Sequence, residues 1–299
     1  MFIKVNFETK ILIYVLGFLV FINCTKEEKT TEVSSIFNTV NASQSGITFS
    51  NILQENDSLN YFTYPYIYMG GGVASGDINN DGLIDLYFTG NQVENKLYLN
   101  KGNLQFEDIT ESAGVVGDDR WYTGVTMGDI NGDGFLDIYC SVGGKFSPKN
   151  NQLFINNGDG TFTDKAEELG LDNDGNSVQS TFFDYDRDGD LDLYIANYPP
   201  TPFKSPTFVY VNNMRSVTET ATDRLFRNDG GTFTDVTEES GLKSFGLSLS
   251  VTVGDINNDS WPDIYISNDF NSPDFMYLNN HDGTFKEVLN LSLIHISEP

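Results

Sequence analysis

The sequence predicts an all-β protein of the β-propeller class, and a repeat and its flanking pattern are the two observations that predict it. An Asp-rich segment recurs four times along the chain, at intervals of roughly 50 to 70 residues, which suits propeller blades. Each copy lies among short runs of aromatic and β-branched residues bounded by Gly, Asn and Ser, as is typical of strands. Four strands per repeat make one propeller blade, so the sequence predicts four blades.

Each repeat supplies its strands in the same order. In the first repeat, the runs 72–76 and 86–88 lie on either side of the Asp-rich segment. Apolar runs of this length without alternation indicate strands covered on both faces. A hairpin follows, in most repeats with a turn of the Asn-Gly or Asp-Gly kind, because those residues tolerate positive φ. The hairpins are 97–106, 153–162, 225–233 and 275–285, and we expect blades near 70–118, 119–172, 173–242 and 243–290.

The beginning of the chain is typical of an exported protein. Residues 1–24 hold an apolar run, Ile11 to Ile22, which is too short to span a bilayer and suits a secretory signal. The run ends at Cys24, in a segment that resembles a lipoprotein cleavage box, and the Lys and Glu residues that follow resemble a surface-export signal. We therefore expect lipidation of Cys24, a tether over 25–45, and an outer-membrane or cell-surface lipoprotein of a Gram-negative bacterium.

The end of the chain departs from the repeat. Residues 291–299 resemble the translated end of a sequencing adapter, so we expect a truncated product whose propeller occupies 46–290. Cys140 lies in an apolar run and is expected to be a small core residue without a disulfide partner.

Charge and composition argue against two functional classes. The chain carries 43 Asp and Glu against 17 Lys and Arg, a net charge of −26. Such a field repels phosphate backbones, so nucleic acid is not an expected partner. The two histidines are His281, in a hairpin turn, and His295, in the foreign tail, and no nucleophile elbow or phosphate loop is present. We therefore do not expect an enzyme.

The Asp-rich segments are candidate metal loops. Oxygen side chains alternate at positions 1, 3 and 5, Gly at position 6 permits a sharp turn, position 7 offers a carbonyl, and Asp at position 9 would close the cage. An all-oxygen, flexible set favours Ca²⁺ over Mg²⁺, and none of the four segments contains a cysteine or a histidine for Zn²⁺. The expected ligands of three to four calcium ions are Asp77, Asn79, Asp81, Leu83, Asp85, Asp129, Asn131, Asp133, Phe135, Asp137, Asp184, Asp186, Asp188, Asp190, Asp192, Asp255, Asn257, Asp259, Trp261 and Asp263.

The four loops are not expected to be equivalent. The fourth is expected to be the weakest, because Ser260 replaces the Gly of the turn. The third carries an extra carboxylate, Asp190, at position 7. An EF-hand would also match positions 1, 3, 5 and 6, but it requires a Glu at position 12. Position 12 is apolar in all four copies, which excludes that alternative: Phe88, Cys140, Ile195 and Ile266.

These repeats, with the stretches 68–77 and 45–49, resemble FG-GAP or VCBS repeats, which also build integrin α-subunit propellers, and the bacterial relatives of the cartilage acidic protein (ASPIC/UnbV) family. The resemblance covers about residues 45–290. It implies seven blades, a calcium loop between the first two strands of each blade, and a further C-terminal domain. This chain holds four of the implied seven blades, so the sequence does not predict a closed ring.

The expected function is extracellular binding of a protein or a polysaccharide by a calcium-stabilised module. An insertion at 198–222 is either a contact loop, with Tyr198, Phe203 and Tyr210 as the residues to test, or an ordinary tolerated insertion. Two alternatives stay open. One is a polysaccharide-degrading enzyme of the lyase kind on a propeller scaffold, and the other is a structural spacer for a missing C-terminal domain.

Overall fold

The computed structural model describes residues 37–144, 148–199, 205–215, 217–218, 221–269 and 272–289. The expected signal segment, Cys24 and residues 291–299 lie outside the described residues. The chain divides into two units, 1–40 and 41–299. Of the first unit only 37–40 are described, and they form no helix or strand. None of the described helices is long and apolar enough to cross a membrane.

The described residues of the second unit form four sheets of four antiparallel strands, and each sheet is a meander in chain order. The described strands are β1 Val73–Gly76, β2 Asp85–Phe88, β3 Lys96–Asn100, β4 Phe106–Asp108, β5 Tyr122–Gly128, β6 Asp137–Val142, β7 Gln152–Asn156, β8 Phe162–Asp164, β9 Ser177–Phe183, β10 Asp192–Asn197, β11 Arg224–Asn228, β12 Phe233–Asp235, β13 Ser248–Gly254, β14 Asp263–Asn268, β15 Phe275–Asn279 and β16 Phe285–Glu287. The described helices are α1 Ala42–Ser45, a 3₁₀ turn Pro65–Tyr68, α2 Thr110–Ala113 and α3 Thr207–Arg215.

The first strands of consecutive sheets lie side by side, with β5 between β1 and β9, and β9 next to β13. Glycine permits this approach. A Cβ on Gly72 would lie 2.6 Å from the backbone nitrogen of Val125, and one on Gly124 would lie 2.6 Å from the carbonyl oxygen of Val178. Both distances are far too short for a side chain, so only glycine fits where these backbones meet.

The hydrophobic core lies between successive sheets. One cluster joins the first two sheets, a second joins the middle two, and a third joins the last two. Strands β6 and β10 are buried at every residue, as expected for strands covered on both faces. Tyrosines at equivalent positions, Tyr87 and Tyr139, are fully buried and donate to the carbonyls of Val115 and Leu171 at 2.7 Å. Four stacked four-stranded sheets are the arrangement of a β-propeller with four blades, which confirms the predicted fold class.

A segment before the first sheet, residues 47–72, contacts residues that follow strands of the third and fourth sheets. Ile67 is fully buried in a cluster with Leu59 and Trp121. The Tyr66 ring packs against Tyr198 at 4.9 Å between centroids, and its hydroxyl donates to Asp269 Oδ2 at 3.4 Å. Sequence reasoning did not predict this connection. It needs the fold to bring residues more than a hundred positions apart into contact.

The insertion at 198–222 joins β10 to β11 and contains α3. In an antiparallel meander, the connection between the second and third strands leaves the end opposite the connection between the first and second. Tyr198 is only 6% exposed, so its suggested role as a contact residue was wrong. It packs against Tyr66 instead. Phe203 and the side chain of Tyr210 lie outside what the structure describes.

Candidate metal centre

The four Asp-rich loops occupy equivalent places, at one end of each sheet. Position 1 directly follows the first strand of a sheet, and position 9 is the first residue of the second strand. Strands therefore flank every loop, where an EF-hand would require helices. In each sheet the position-9 aspartate pairs with the last residue of the preceding strand, as Asp85 does with Gly76.

The backbone of each loop is wrapped around its position-1 carboxylate. In the first loop, Asp77 Oδ1 accepts from the Asp81 amide at 3.1 Å, and Oδ2 accepts from the Gly82 amide at 2.7 Å. The other three loops repeat both hydrogen bonds. Positions 4 and 6 have positive φ in all four loops, which turns the chain twice within six residues.

The fourth loop keeps this turn although it lacks the glycine. Ser260 has a φ of +72°, against +84°, +90° and +102° for Gly82, Gly134 and Gly189. Serine therefore makes the same turn as glycine, and the expectation that the fourth loop is the weakest stays a prediction. The loop holds an L-residue in the left-handed region, which is strained.

The third loop brings three carboxylates together. One oxygen from each of Asp184, Asp186 and Asp188 lies within 4.8 Å of the others. Asp186 Oδ1 is buried and has no hydrogen-bond partner among the described residues. Burial, and then the charge of Asp188, raise the pKa of Asp186. A buried acceptor without a donor, beside two further carboxylates, fits a hard cation.

The first, second and fourth loops have asparagine at position 3 in place of the third carboxylate. Its amide donates to the position-5 aspartate, for example from Asn131 Nδ2 to Asp133 Oδ2 at 2.9 Å. These loops therefore hold one carboxylate fewer at positions 1, 3 and 5 than the third loop does.

Position 7 is held close to position 5. The position-7 amide donates to the position-5 carboxylate at 2.9 Å in every loop, and these amides belong to Leu83, Phe135, Asp190 and Trp261. The extra carboxylate of Asp190 accepts from the Gly230 amide at 2.8 Å. It therefore ties the loop to the neighbouring hairpin turn.

The position-9 aspartates are fully buried, and backbone amides satisfy them. Asp137 Oδ2 accepts from the Ile130 amide at 3.1 Å, and Oδ1 accepts from the Asn156 amide at 2.8 Å. Burial raises the pKa of Asp137 to about 6 and that of Asp192 to about 7, and it also raises the pKa of Asp85. Sequence reasoning assigned these residues only to the metal cage. Their hydrogen bonds also join the loop to the third strand.

Sequence reasoning missed a contact between His281 and the fourth loop. His281 does lie in a hairpin turn, but its Nε2 is 2.8 Å from Asp259 Oδ2, and its ring stacks on Trp261 at 4.8 Å between centroids. The guanidinium carbon of Arg187, from the third loop, lies over the Trp261 ring, 5.4 Å from its centroid. The Trp261 amide, and then His281, lower the pKa of Asp259. No sequence pattern indicates this cluster, because its members come from three separate turns.

The chain is similar to a known repeat family and to several known proteins. The family model described as FG-GAP-like repeat matches residues 77–140, 142–195 and 209–266. Cartilage acidic protein 1 of Mus musculus is 32% identical over 129 residues, covering 42% of this chain and 18% of the relative, and the Homo sapiens protein is 32% identical over 129 residues, covering 42% and 17%. The Xenopus tropicalis protein is 28% identical over 232 residues, covering 73% of this chain and 34% of the relative. The chain therefore spans about a third or less of the length of these relatives. The predicted repeat family is confirmed.

Proposed function

The chain belongs to the FG-GAP-like repeat family, and from that premise we propose that it is a calcium-binding β-propeller module that acts outside the cell. The observation that carries the proposal is the third loop, where three carboxylates converge and one of them, Asp186, has a buried oxygen without a donor in the part of the chain that the structure describes. In each loop the side chains at positions 1, 3, 5 and 9 and the carbonyl at position 7 would hold the ion.

Electrostatics supports the same assignment. Like charges at such short range repel, and burial adds to the free-energy cost of keeping Asp186 ionised. A bound cation would offset both. The net charge of −26 favours cation uptake in general.

The test is thermal unfolding of the full chain in calcium and in chelator, together with the number of ions bound. Calcium should raise Tm by mass action, because the folded loops bind it and the unfolded chain largely does not. Asp186→Asn should bind one ion fewer and show a smaller shift. Asp57→Asn, which removes one exposed carboxylate outside the Asp-rich segments, is the matched control. A well-folded sample without any calcium-dependent shift would overturn the proposal.

We further propose that the module binds a protein or a polysaccharide and is displayed through a lipid on Cys24. The support is the secretory pattern before Cys24 and the family membership. Incubation of the chain with polysaccharide mixtures should yield bound material and no unsaturated sugars. Release of such sugars would favour the lyase alternative.

A further inference from the structure

An asparagine ends the third strand of every sheet and contacts the loop of its own sheet. Asn156 Nδ2 donates to the Leu136 carbonyl at 3.2 Å, and its backbone amide donates to Asp137 Oδ1 at 2.8 Å. Its Oδ1 accepts from the Gly158 amide at 3.0 Å, which fixes the orientation of the side chain.

The same side chain also reaches the loop of the preceding sheet. Asn156 Nδ2 donates to the carbonyl of Ile78, at position 2 of the first loop, at 2.8 Å. Asn228 repeats this bond to Ile130 in the second loop at 2.9 Å, and Asn279 repeats it to Tyr185 in the third at 2.8 Å. Each of these asparagines therefore bridges two neighbouring loops.

The position-9 aspartates continue the connection within each loop. The residue at position 2 accepts from the neighbouring asparagine through its carbonyl and donates to its own position-9 aspartate through its amide. That aspartate accepts in turn from the backbone of the asparagine in its own sheet. The hydrogen bonds thus run without interruption from Asp85 in the first sheet to Asp263 in the fourth.

The bridge is shielded from water. Asn156, Asn228 and Asn279 are 3%, 1% and 4% exposed, and the position-9 aspartates are fully buried. Buried hydrogen bonds are costly to leave unmade, so a movement of one loop is resisted by the loop that shares its asparagine.

We propose that Asn156, Asn228 and Asn279 couple neighbouring loops, so that a cation held in one loop raises the affinity of the next. This inference rests on the proposed calcium function and adds a regulation to it. The asparagines act as positioning residues, because their side chains contact loop carbonyls and not the converging carboxylate oxygens.

The chain offers a matched control. Asn100 makes the same bonds within its own sheet, from its backbone amide to Asp85 and from Nδ2 to the Ile84 carbonyl, both at 2.8 Å. Among the described residues it has no bridge to another Asp-rich loop. Both alanine variants keep the backbone amide and its bond to the position-9 aspartate. Asn100→Ala therefore removes only side-chain bonds within a sheet, whereas Asn228→Ala also removes the bridge between the second and third loops.

The experiment is hydrogen exchange of the second loop, followed in the full chain by peptides covering 129–137. In chelator, Asn228→Ala should speed exchange in the second loop as well as the third, and Asn100→Ala should speed exchange only in the first. In a calcium titration, Asp186→Asn should weaken protection of the second loop about fivefold, the lower end of typical coupling. In a chain that also carries Asn228→Ala, Asp186→Asn should leave the protection of the second loop unchanged. If Asn228→Ala does not fold, Asn156→Ala tests the bridge between the first and second loops.

The outcomes separate the two proposals. Calcium-dependent protection in every loop, with Asp186→Asn affecting the second loop equally with and without Asn228, would overturn the coupling and leave calcium binding intact. The coupling would also be overturned if Asp186→Asn alone left the calcium-dependent protection of the second loop unchanged. A folded chain that binds no calcium would overturn both.

Discussion

Ser260 is the residue at which the repeat departs from its own pattern. Its φ of +72° lies in the left-handed region, where the Cβ of an L-residue crowds the following carbonyl oxygen. The three equivalent glycines take the same conformation without this crowding, and a Cβ on Gly134 would meet no atom within 4 Å. The strain at Ser260 is therefore in the backbone and not in the packing.

Ser260→Gly should raise the free energy of unfolding by about 1 kcal/mol, because it removes the left-handed penalty. Glycine also gives the unfolded chain more conformational entropy, which favours unfolding, so the expected change lies at the low end of the penalty of about 1–2 kcal/mol for a left-handed residue. Gly134→Ser is the matched control and should lower stability by a similar amount. Urea denaturation in chelator measures both. Equal free energies of unfolding for wild type and Ser260→Gly would contradict the claim that the backbone is strained at Ser260.

Asp223 is a buried carboxylate outside the metal loops. It accepts from the Asn197 amide at 2.7 Å, from the Ser248 hydroxyl at 2.9 Å and from the Tyr194 hydroxyl at 3.0 Å. Burial nevertheless dominates and raises its pKa from 3.8 to about 6. The folded state therefore binds the proton more tightly than the unfolded state does.

Linkage gives the sign of the pH effect. Because the folded pKa of Asp223 is raised, its contribution to stability is fully present below pH 3.8 and is lost as the pH rises through about 6. Asparagine does not titrate, so the stability of Asp223→Asn relative to wild type should rise between pH 4 and pH 7.5, by up to about 3 kcal/mol for a shift of this size. The loss of one buried acceptor adds a cost to the variant that does not vary with pH. Unfolding in chelator across this range measures the rise, and a difference that does not vary with pH would rule out titration of Asp223.

At the scale of elements, the repeated pattern was enough to predict the blades. Local signals specify them, because Asp-Gly and Asn-Gly turns and short apolar runs act within one repeat. The bridging asparagines were missed although Asn100, Asn156, Asn228 and Asn279 recur at one place in the sequence. Their second bond reaches the preceding sheet, and no single repeat contains both partners. The double role of position 9 was missed for a different reason. Its amide donors lie in its own repeat, for example Ile130 and Asn156 for Asp137, but the loop motif indicates only a ligand pattern and not these backbone contacts.

The position-9 and position-5 aspartates of one loop should respond differently to the same substitution. Asp137→Asn replaces one buried acceptor by a donor that faces a backbone amide, so it should lower the free energy of unfolding by about 1–3 kcal/mol even in chelator. Asp133→Asn keeps the acceptor for Phe135 and is exposed, so stability in chelator should change little. Its calcium-dependent stabilisation should fall. Denaturation of both variants with and without calcium compares them, and equal losses in chelator would contradict a structural role for Asp137.

Hydrophobic contacts between neighbouring sheets help to hold the whole molecule together. Three clusters are each shared by two sheets, and the segment before β1 reaches the third and fourth sheets through Tyr66. A blade separated from its neighbour would expose half of each shared cluster. Stability in such a stack arises from the interfaces between repeats.

Ile67→Ala should therefore destabilise the molecule beyond the segment that carries it. Ile67 is fully buried against Leu59 and Trp121, so truncation should cost about 2–5 kcal/mol. Phe62→Ala, in the same segment but at a residue 94% exposed, should change stability by less than about 0.5 kcal/mol. The two tryptophans give separate probes, since Trp121 lies beside Ile67 and Trp261 lies in the fourth loop. In urea, single-tryptophan versions of Ile67→Ala should show the same lowered midpoint at both. A lowered midpoint at Trp121 alone would mean that the segment stabilises only its own surroundings and that the four sheets do not unfold as one unit.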